Sequence, residues 1–259
     1  MTDCSPDFGR TAADYARHRA GFPPELLDRL AGLGIARPGA RVVDLGTGTG
    51  SLARLFARRG CEVTGVDIAG PLLEQAQRLD REAGVQVDYV ESPAEATGLP
   101  SGAFDVASAG QCWHWFDRPA AACEVTRLLA NRGAVVIAHF DWLPILDNVV
   151  EATEEIILRY TPNWPYADRA GLYPQWLVDL QTAGFIGIET FSFDLMVAYS
   201  HEAWVGRVRA SAPIAGTLDA DGVRSCSREL AAMLRERFPE EPLWVPHRAW
   251  AVTAWTAPT

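Results

Sequence analysis

Three glycines stand close together in the segment Val42-Val43-Asp44-Leu45-Gly46-Thr47-Gly48-Thr49-Gly50. They follow an apolar, β-rich run and precede a helical stretch, so bare backbone is presented where a strand turns into a helix. In open α/β sheets, nucleotide-like ligands approach the main chain at this position. Asp67 comes seventeen residues after Gly50, at the end of the next strand-like run, where a carboxylate can accept both hydroxyls of a ribose. The pair predicts a site for a ribose-containing cofactor.

The register of the glycines bears on which cofactor this is. A dinucleotide fingerprint, Gly-x-Gly-x-x-Gly, would place its third glycine at position 51, but that residue is Ser51. Asp44 precedes the first glycine by two positions, and no Gly-Lys-Ser/Thr sequence is present to cradle a triphosphate. The pattern favours S-adenosylmethionine over a nicotinamide or flavin cofactor, and over a turn with a purely structural role.

Further motifs follow in order along the chain. They are Ser92-Pro93-Ala94-Glu95 to Leu99-Pro100, Phe104-Asp105, and Leu128 to Gly133. Together with Asp44 to Gly50 and Asp67, they resemble the successive motifs of class I S-adenosylmethionine-dependent methyltransferases. The resemblance covers residues 41–140. It implies a doubly wound α/β fold with a mixed seven-stranded sheet, a helical insertion that forms a cap, and S-adenosyl-L-methionine as the cofactor.

The resemblance also implies roles for individual residues. The glycines would flank the methionine part of the cofactor, Asp67 would hold the ribose, and Ile68 would pack on the adenine. An N-terminal Tyr-x-x-x-Arg-x-x-Tyr/Phe-Pro element would close over the cofactor, as in one bacterial branch of small-molecule enzymes. The residues expected at the cofactor are Tyr15, Arg19, Asp44, Gly46, Gly48, Gly50, Asp67, Ile68, Ala94, Glu95, Ala109 and Gln111.

An aromatic signature, Gln111-Cys112-Trp113-His114-Trp115-Phe116-Asp117, follows the fourth predicted strand. It is similar to the Gln-x-x-His-Trp-Phe-Asp signature of the branch that includes trans-aconitate methyltransferase. Its aromatic residues could face a ligand cleft. Alternatively, they are core aromatics that anchor a helix start, with Asp117 as its N-cap.

Two histidines are candidates for a general base, which is needed if the methyl acceptor is a hydroxyl or a protonated amine. His114 belongs to the aromatic signature, and His139 is expected to end the fifth strand and so to face the cleft. A structural hydrogen bond is the alternative role for each. No metal is required by anything in the sequence.

Alternating strand and helix patterns must position these residues. The strand-like runs are Arg41–Leu45, Glu62–Asp67, Gln86–Val90, Phe104–Ala109 and Ala134–Phe140, and the helical stretches between them are Leu52–Arg59, Leu72–Ala83 and Ala120–Leu129. This β-α-β alternation predicts a parallel sheet with crossover helices. Pro71 is expected in a first helical turn, and Gly133 is expected as a left-handed cap after a helix.

Residues 1–140 are thus predicted to contain N-terminal cap helices and the cofactor-binding core. Residues 141–259 are predicted to add a helical insertion that caps the substrate, and closing antiparallel strands of the same domain. The later elements are expected as helices at Asp147–Tyr160, Tyr173–Ala183, Glu202–Arg209 and Arg224–Arg237, and as strands at Ile188–Val197 and Arg248–Trp255.

The composition of the chain limits the classes of partner that we expect it to bind. The formal net charge is −10 and the basic residues form no dense run, so a phosphate-rich polymer would be repelled and no nucleic-acid partner is expected. No apolar run approaches the roughly 20 residues of a membrane helix. With no recognisable secretory signal, a cytoplasmic location is expected. The five scattered cysteines suggest neither disulfides nor zinc.

The sequence therefore predicts an enzyme that transfers a methyl group to an oxygen, nitrogen or carbon atom of a small organic acceptor by in-line displacement. It is expected to act as a monomer or homodimer. Two alternatives are an S-adenosylmethionine-binding protein without catalytic activity and a nicotinamide-dependent oxidoreductase. The oxidoreductase is disfavoured because a chain without lysine has no Tyr-x-x-x-Lys pair.

Overall fold

A computed structural model describes residues 20–165, 167 and 169–258. Within these residues, seven strands form one mixed sheet in the order β3-β2-β1-β4-β5-β7-β6. The strands are β1 (Arg41–Leu45), β2 (Glu62–Asp67), β3 (Asp88–Glu91), β4 (Phe104–Gly110), β5 (Leu129–Trp142), β6 (Ile186–Tyr199) and β7 (Leu243–Trp255). The helices are α1 (Pro24–Gly32), α2 (Ser51–Arg58), α3 (Gly70–Ala83), α4 (Arg118–Leu128), α5 (Val149–Tyr160), α6 (Gln175–Thr182), α7 (His201–Arg209), α8 (Ala212–Ala215) and α9 (Ala220–Arg237).

The first five strands form the predicted parallel arrangement. β1 pairs in parallel with β2 on one side and with β4 on the other, while β3 pairs with β2 and β5 with β4. The chain therefore runs outward from β1 to β3 and then returns to the opposite side of β1. This reversal creates a topological switch point at the carboxyl ends of β1 and β4, where ligands of open α/β sheets bind.

Local sequence signals account for several element boundaries. β1 and β2 have the predicted bounds. Pro71 lies in the first turn of α3, as expected for a residue whose missing N–H is not needed there. Asp117 is the N-cap of α4, because its side chain accepts a hydrogen bond from the backbone N–H of Ala120 at 3.2 Å.

The start of β5 differs from the prediction. The strand begins at Leu129, directly after α4, so Gly133 is a strand residue and not a helix cap. The left-handed backbone occurs one residue earlier, at Arg132, where φ is 61°. A Cβ on Gly133 would lie 2.9 Å from the carbonyl oxygen of Ala130, so a close backbone approach accounts for the glycine.

The chain divides into two compact units. The larger unit contains Gly21–Phe140, Tyr173–Phe193 and Ala249–Thr259, and the smaller unit contains Asp141–Leu172 and Asp194–Arg248. Strands β5, β6 and β7 each contribute residues to both units.

Each unit has its own apolar core. In the larger unit, buried residues of β1, β4 and β5 pack with α4 and α6; they include Val43, Ala107, Val125, Ile137 and Leu180. In the smaller unit, residues of α5, α7 and α9 pack together; they include Ile157, Trp204, Val208, Leu230 and Leu234. None of the helices described here is both long and apolar enough to cross a membrane.

Candidate functional site

The glycine-rich loop between β1 and α2 has an unusual backbone conformation. Gly46, Gly48 and Gly50 have φ angles of 60°, 56° and 74°, which lie in the left-handed region that side-chain-bearing residues rarely adopt. A Cβ on Gly48 would meet nothing within 4 Å, so this glycine borders open space. Open space next to Gly48 thus leaves room for a ligand at this part of the loop.

Asp44 lies beneath the loop and supports it. Its carboxylate is buried and accepts hydrogen bonds from the hydroxyls of Thr47 at 2.7 Å and Ser108 at 2.6 Å. Burial raises the pKa of Asp44 to about 6, although the two hydroxyl hydrogen bonds oppose this shift. The structure therefore places this predicted cofactor residue between the loop and β4.

Asp67 ends β2 and reaches the same loop. Its Oδ2 atom accepts a hydrogen bond from the backbone N–H of Gly48 at 2.8 Å, and its Oδ1 atom accepts one from Ala69 at 2.9 Å. Burial raises the pKa of this carboxyl group, while the backbone hydrogen bonds hold it down. The next residue, Ile68, is 72% exposed, which is unusual for a large apolar side chain. A carboxylate and an apolar surface thus lie side by side next to the glycines.

An arginine-centred cluster behind the loop was not identified from the sequence. Arg54 donates hydrogen bonds to the carbonyl oxygens of Thr49 at 2.8 Å and Gly50 at 3.0 Å. Its Nε atom lies 2.9 Å from Oδ1 of Asp80, whose Oδ2 accepts a hydrogen bond from the phenol of Tyr89 at 2.7 Å. The sequence signal for part of this cluster was an arginine four residues after Gly50 on the following helix.

The remaining described cofactor candidates lie in β4 and on neighbouring loops of the larger unit. Ala94 is buried, and Oε1 of Glu95 accepts a hydrogen bond from the backbone N–H of Asp117 at 2.9 Å. Ala109 is buried in β4, and Gln111 follows this strand with a φ of 58°. A left-handed glutamine is uncommon, and such conformations concentrate at functional sites.

The N-terminal element is described only in part. Tyr15 and Arg19 lie outside the described residues. Phe22, which follows them in this element, is buried and its backbone N–H donates to Ser51 Oγ at 3.1 Å. Its ring lies 2.8 Å from the place that a Cβ on Gly110 would occupy, so Phe22 packs against the end of β4.

The aromatic signature has two environments. Trp113 is fully buried, and its indole N–H donates to Asp179 Oδ2 at 3.0 Å, as expected for a core aromatic with a satisfied polar group. Trp115 is 44% exposed, so the interpretation of Trp115 as a core residue is wrong. A single turn of 3₁₀ helix, Trp113–Trp115, turns successive side chains in different directions and accounts for this difference.

The two candidate histidines also differ. Their ring centroids are 5.9 Å apart, but His114 is half-buried while His139 is only 1% exposed. His139 stacks on Tyr173 with a centroid distance of 3.6 Å, and its Nε2 accepts a hydrogen bond from the indole of Trp176 at 3.2 Å. β5 continues to Trp142, so His139 lies within the strand and not at its end as predicted.

Comparisons with known proteins point to a methyltransferase domain. Residues 43–137 match a family model described as a methyltransferase domain. An uncharacterized methyltransferase of Mycobacterium tuberculosis is 36% identical over 131 residues, which is 51% of each chain. The chain thus spans about half the length of the curated relatives that it matches at this identity.

Solved structures extend the likeness to most of the chain. A candidate type II methyltransferase from Anaeromyxobacter dehalogenans superimposes with a TM-score of 0.68 at 22% identity, covering 93% of this chain and 99% of that chain. Phosphoethanolamine N-methyltransferase 2 of Haemonchus contortus, solved in complex with S-adenosyl-L-methionine, superimposes with a TM-score of 0.57 at 19% identity, covering 96% of this chain and 57% of that chain. Residues 43–137 therefore match the methyltransferase domain family, and the sheet has the α/β fold of these methyltransferase structures.

Proposed function

We propose that this protein transfers a methyl group from S-adenosyl-L-methionine to an oxygen, nitrogen or carbon atom of a small organic acceptor. The hydrogen bond between Asp67 and the Gly48 amide carries the proposal, because it places a carboxylate at the mouth of the glycine-rich loop. The match of residues 43–137 to methyltransferase domains supports it. So does the structural likeness to an enzyme solved with S-adenosyl-L-methionine.

The residues present fit this cofactor. Each Asp67 oxygen accepts a backbone hydrogen bond, and a carboxylate oxygen has room for a second donor such as a ribose hydroxyl. Exposed Ile68 offers an apolar surface for the adenine beside that carboxylate. Gly48 borders open space and lets a ligand approach the main chain. Ala94, Glu95, Ala109 and Gln111 are assigned to the same cofactor by resemblance, as are Tyr15 and Arg19.

Methyl transfer from this cofactor requires alignment of the reactants more than their chemical activation. When bound, S-adenosyl-L-methionine supplies a methyl group on a sulfonium that is already a good leaving group. The protein's part is to hold the acceptor in line with that methyl group and to exclude water. If the acceptor is a hydroxyl or a protonated amine, a side chain must also take up a proton.

We assign this proton acceptor to His114. It retains solvent exposure and belongs to the signature that follows β4 at the switch point. His139 is the weaker candidate, because its ring is stacked on Tyr173 and its Nε2 accepts the Trp176 indole N–H. The signature from Gln111 to Asp117 also supports placement in the branch that includes trans-aconitate methyltransferase. We further propose that the active form is a monomer or homodimer.

Calorimetric titration of the purified protein tests the proposal. We expect micromolar binding of S-adenosyl-L-methionine and of S-adenosylhomocysteine, and no binding of NADH. Binding of NADH alone would support the nicotinamide-dependent alternative and overturn the proposal. If the first two ligands bind, transfer from labelled donor to a panel of hydroxyl, amine and carbon acceptors distinguishes the enzyme from a cofactor-binding protein without turnover.

A further inference from the structure

A chain of hydrogen bonds in the smaller unit ends next to the cation of Arg207. Nδ1 of His247 lies 3.0 Å from the carbonyl oxygen of Val245, which can only accept, so Nδ1 carries the proton. Burial lowers the pKa of His247 to about 4, and the ring is therefore neutral near pH 7. Its Nε2 atom then accepts from the Tyr199 hydroxyl at 3.4 Å. The Tyr199 side chain is in turn a polar neighbour of Arg207.

The polarity of this chain leaves Arg207 without a close counter-charge. Every group from Val245 to Tyr199 is neutral, so the chain supplies Arg207 with a polar neighbour and no negative charge. Among the residues that the structure describes, Arg207 forms no ion pair, and its Nε atom is buried without a hydrogen-bond partner. Asp141 attracts Arg207 only at longer range. Cations withdrawn from solvent in folded proteins are normally paired, so this arrangement calls for an anion.

An aromatic platform holds the guanidinium in place. The Cζ atom of Arg207 lies 4.7 Å from the ring centroid of Trp142. The indole N–H of Trp142 donates to Oε1 of buried Glu154 at 2.8 Å, which fixes the ring and its orientation. A stacked guanidinium keeps its in-plane N–H donors available at its edge. The residue as a whole is half-buried, so part of its surface reaches solvent although Nε does not.

We propose that Arg207, stacked on Trp142 and next to Tyr199, forms a binding site for the carboxylate group of a small organic molecule. A planar fork of N–H donors matches the two oxygens of a carboxylate. One cation is balanced by one carboxylate, whereas a phosphate dianion would leave excess negative charge in a chain of net charge −10. The identification of this ligand as the methyl acceptor rests on the function proposed above. The binding site itself does not depend on that function.

Benzoate and its neutral analogue benzamide provide matched probes. Binding is measured by calorimetry and by the fluorescence change of the tryptophans, at constant ionic strength and near neutral pH. We expect benzoate to bind the wild-type protein at least about tenfold more tightly than benzamide, because only benzoate forms charge-assisted hydrogen bonds. Equal binding of the two probes, or binding of neither, would overturn the proposal.

Substitutions locate the site. Arg207→Met should abolish the preference for benzoate. Arg207→Lys should keep part of this preference, because lysine retains the positive charge but lacks the planar fork of N–H donors. The control is Arg237→Met, since Arg237 also approaches an aromatic ring, that of Phe238 at 5.7 Å, but is paired with Glu155 at 3.7 Å and is 47% exposed. This control should bind benzoate like the wild type. An undiminished preference in Arg207→Met would contradict the assignment.

Two further readouts distinguish a carboxylate site from a structural arginine and from a phosphate site. Thermal unfolding without ligand should give Arg207→Met a melting temperature equal to or above that of the wild type, because an uncompensated cation has been removed. A marked loss of stability in both Arg207 variants would instead make Arg207 a structural residue and overturn the proposal. If inorganic phosphate binds more tightly than benzoate, and only when Arg207 is present, the site is a phosphate site and the carboxylate proposal is overturned.

The same protein is titrated with S-adenosyl-L-methionine. Cofactor binding without benzoate binding refutes the carboxylate site and leaves the proposed function standing. Benzoate binding without cofactor binding refutes the proposed function and leaves the site standing.

Discussion

The backbone N–H of Gly48 donates a hydrogen bond of 2.8 Å to Oδ2 of Asp67. This contact joins the end of β2 to the loop that follows β1, so the carboxylate and the glycines form one structural unit. It also means that a change at Asp67 alters both the group that would hold a ribose and the loop itself.

Asp67→Ala is expected to weaken binding of S-adenosyl-L-methionine by about 1.5–3 kcal/mol, because hydrogen bonds to a charged group are lost. Calorimetry measures the change. Asp88→Ala is the matched control, since Asp88 is an exposed carboxylate at the start of β3. Unchanged affinity of Asp67→Ala for S-adenosyl-L-methionine would contradict the assignment of Asp67 to the ribose.

Arg54→Met is expected to destabilise the protein by about 3–5 kcal/mol, because Asp80 would remain buried without its cation. The side chains of Arg54 and Asp80 are 13% and 5% exposed. The substitution also frees the carbonyl oxygens of Thr49 and Gly50, so cofactor affinity should fall in the fraction that remains folded. Denaturant unfolding and calorimetry give the two quantities.

The control for Arg54→Met is Arg78→Met on α3. Arg78 and Glu82 are 54% and 61% exposed and 4.0 Å apart, so the change should be within about 0.5 kcal/mol. Equal stability of the two variants would show that the Arg54 cluster does not hold the loop.

Asp44 should make stability depend on pH. Burial raises its pKa to about 6 in the folded protein, from an ordinary value of 3.8. Its contribution is therefore fully present below pH 3.8 and is lost as the pH rises through 6, by an amount on the order of 3 kcal/mol. In Asp44→Asn this loss should be absent. The unfolding free energies of both proteins between about pH 4 and pH 8 check this, and parallel curves would contradict it.

His114→Ala should leave cofactor affinity nearly intact and lower turnover of a hydroxyl acceptor by about a hundredfold, as expected for loss of a general base. Steady-state rates with labelled donor measure this. The effect should be smaller with an acceptor that needs no deprotonation. Equal turnover of the wild type and the variant on a hydroxyl acceptor would leave positioning alone as the mechanism.

His139→Ala should act on stability instead. It removes a ring that stacks on Tyr173 and leaves the Trp176 indole N–H without its acceptor, which should cost about 2–4 kcal/mol. Thermal or denaturant unfolding tests this. A fully stable His139→Ala protein with strongly reduced turnover would reverse the roles assigned to the two histidines.

Elements with local signals could be predicted from the amino-acid sequence alone. Strands β1 and β2 have the predicted bounds because short apolar runs end at clear turn residues. The glycine-rich turn, Asp67 at the end of β2 and the Asp117 N-cap were predicted for the same reason: each depends on residues within one or two turns of the chain. The parallel half of the sheet followed from the alternation of strands and helices.

Contacts between distant positions became evident only in the folded chain. Arg54 and Tyr89 both contact Asp80 because β3 and α3 return to the glycine-rich loop. No periodic pattern in the sequence predicts these contacts. His139 was expected at a strand end facing the cleft, but packing of Tyr173 and Trp176 from a later segment buries it. The state of Arg207 likewise depends on Trp142 and Tyr199 from other segments. Burial and charge compensation are properties of neighbours in space, so local patterns cannot supply them.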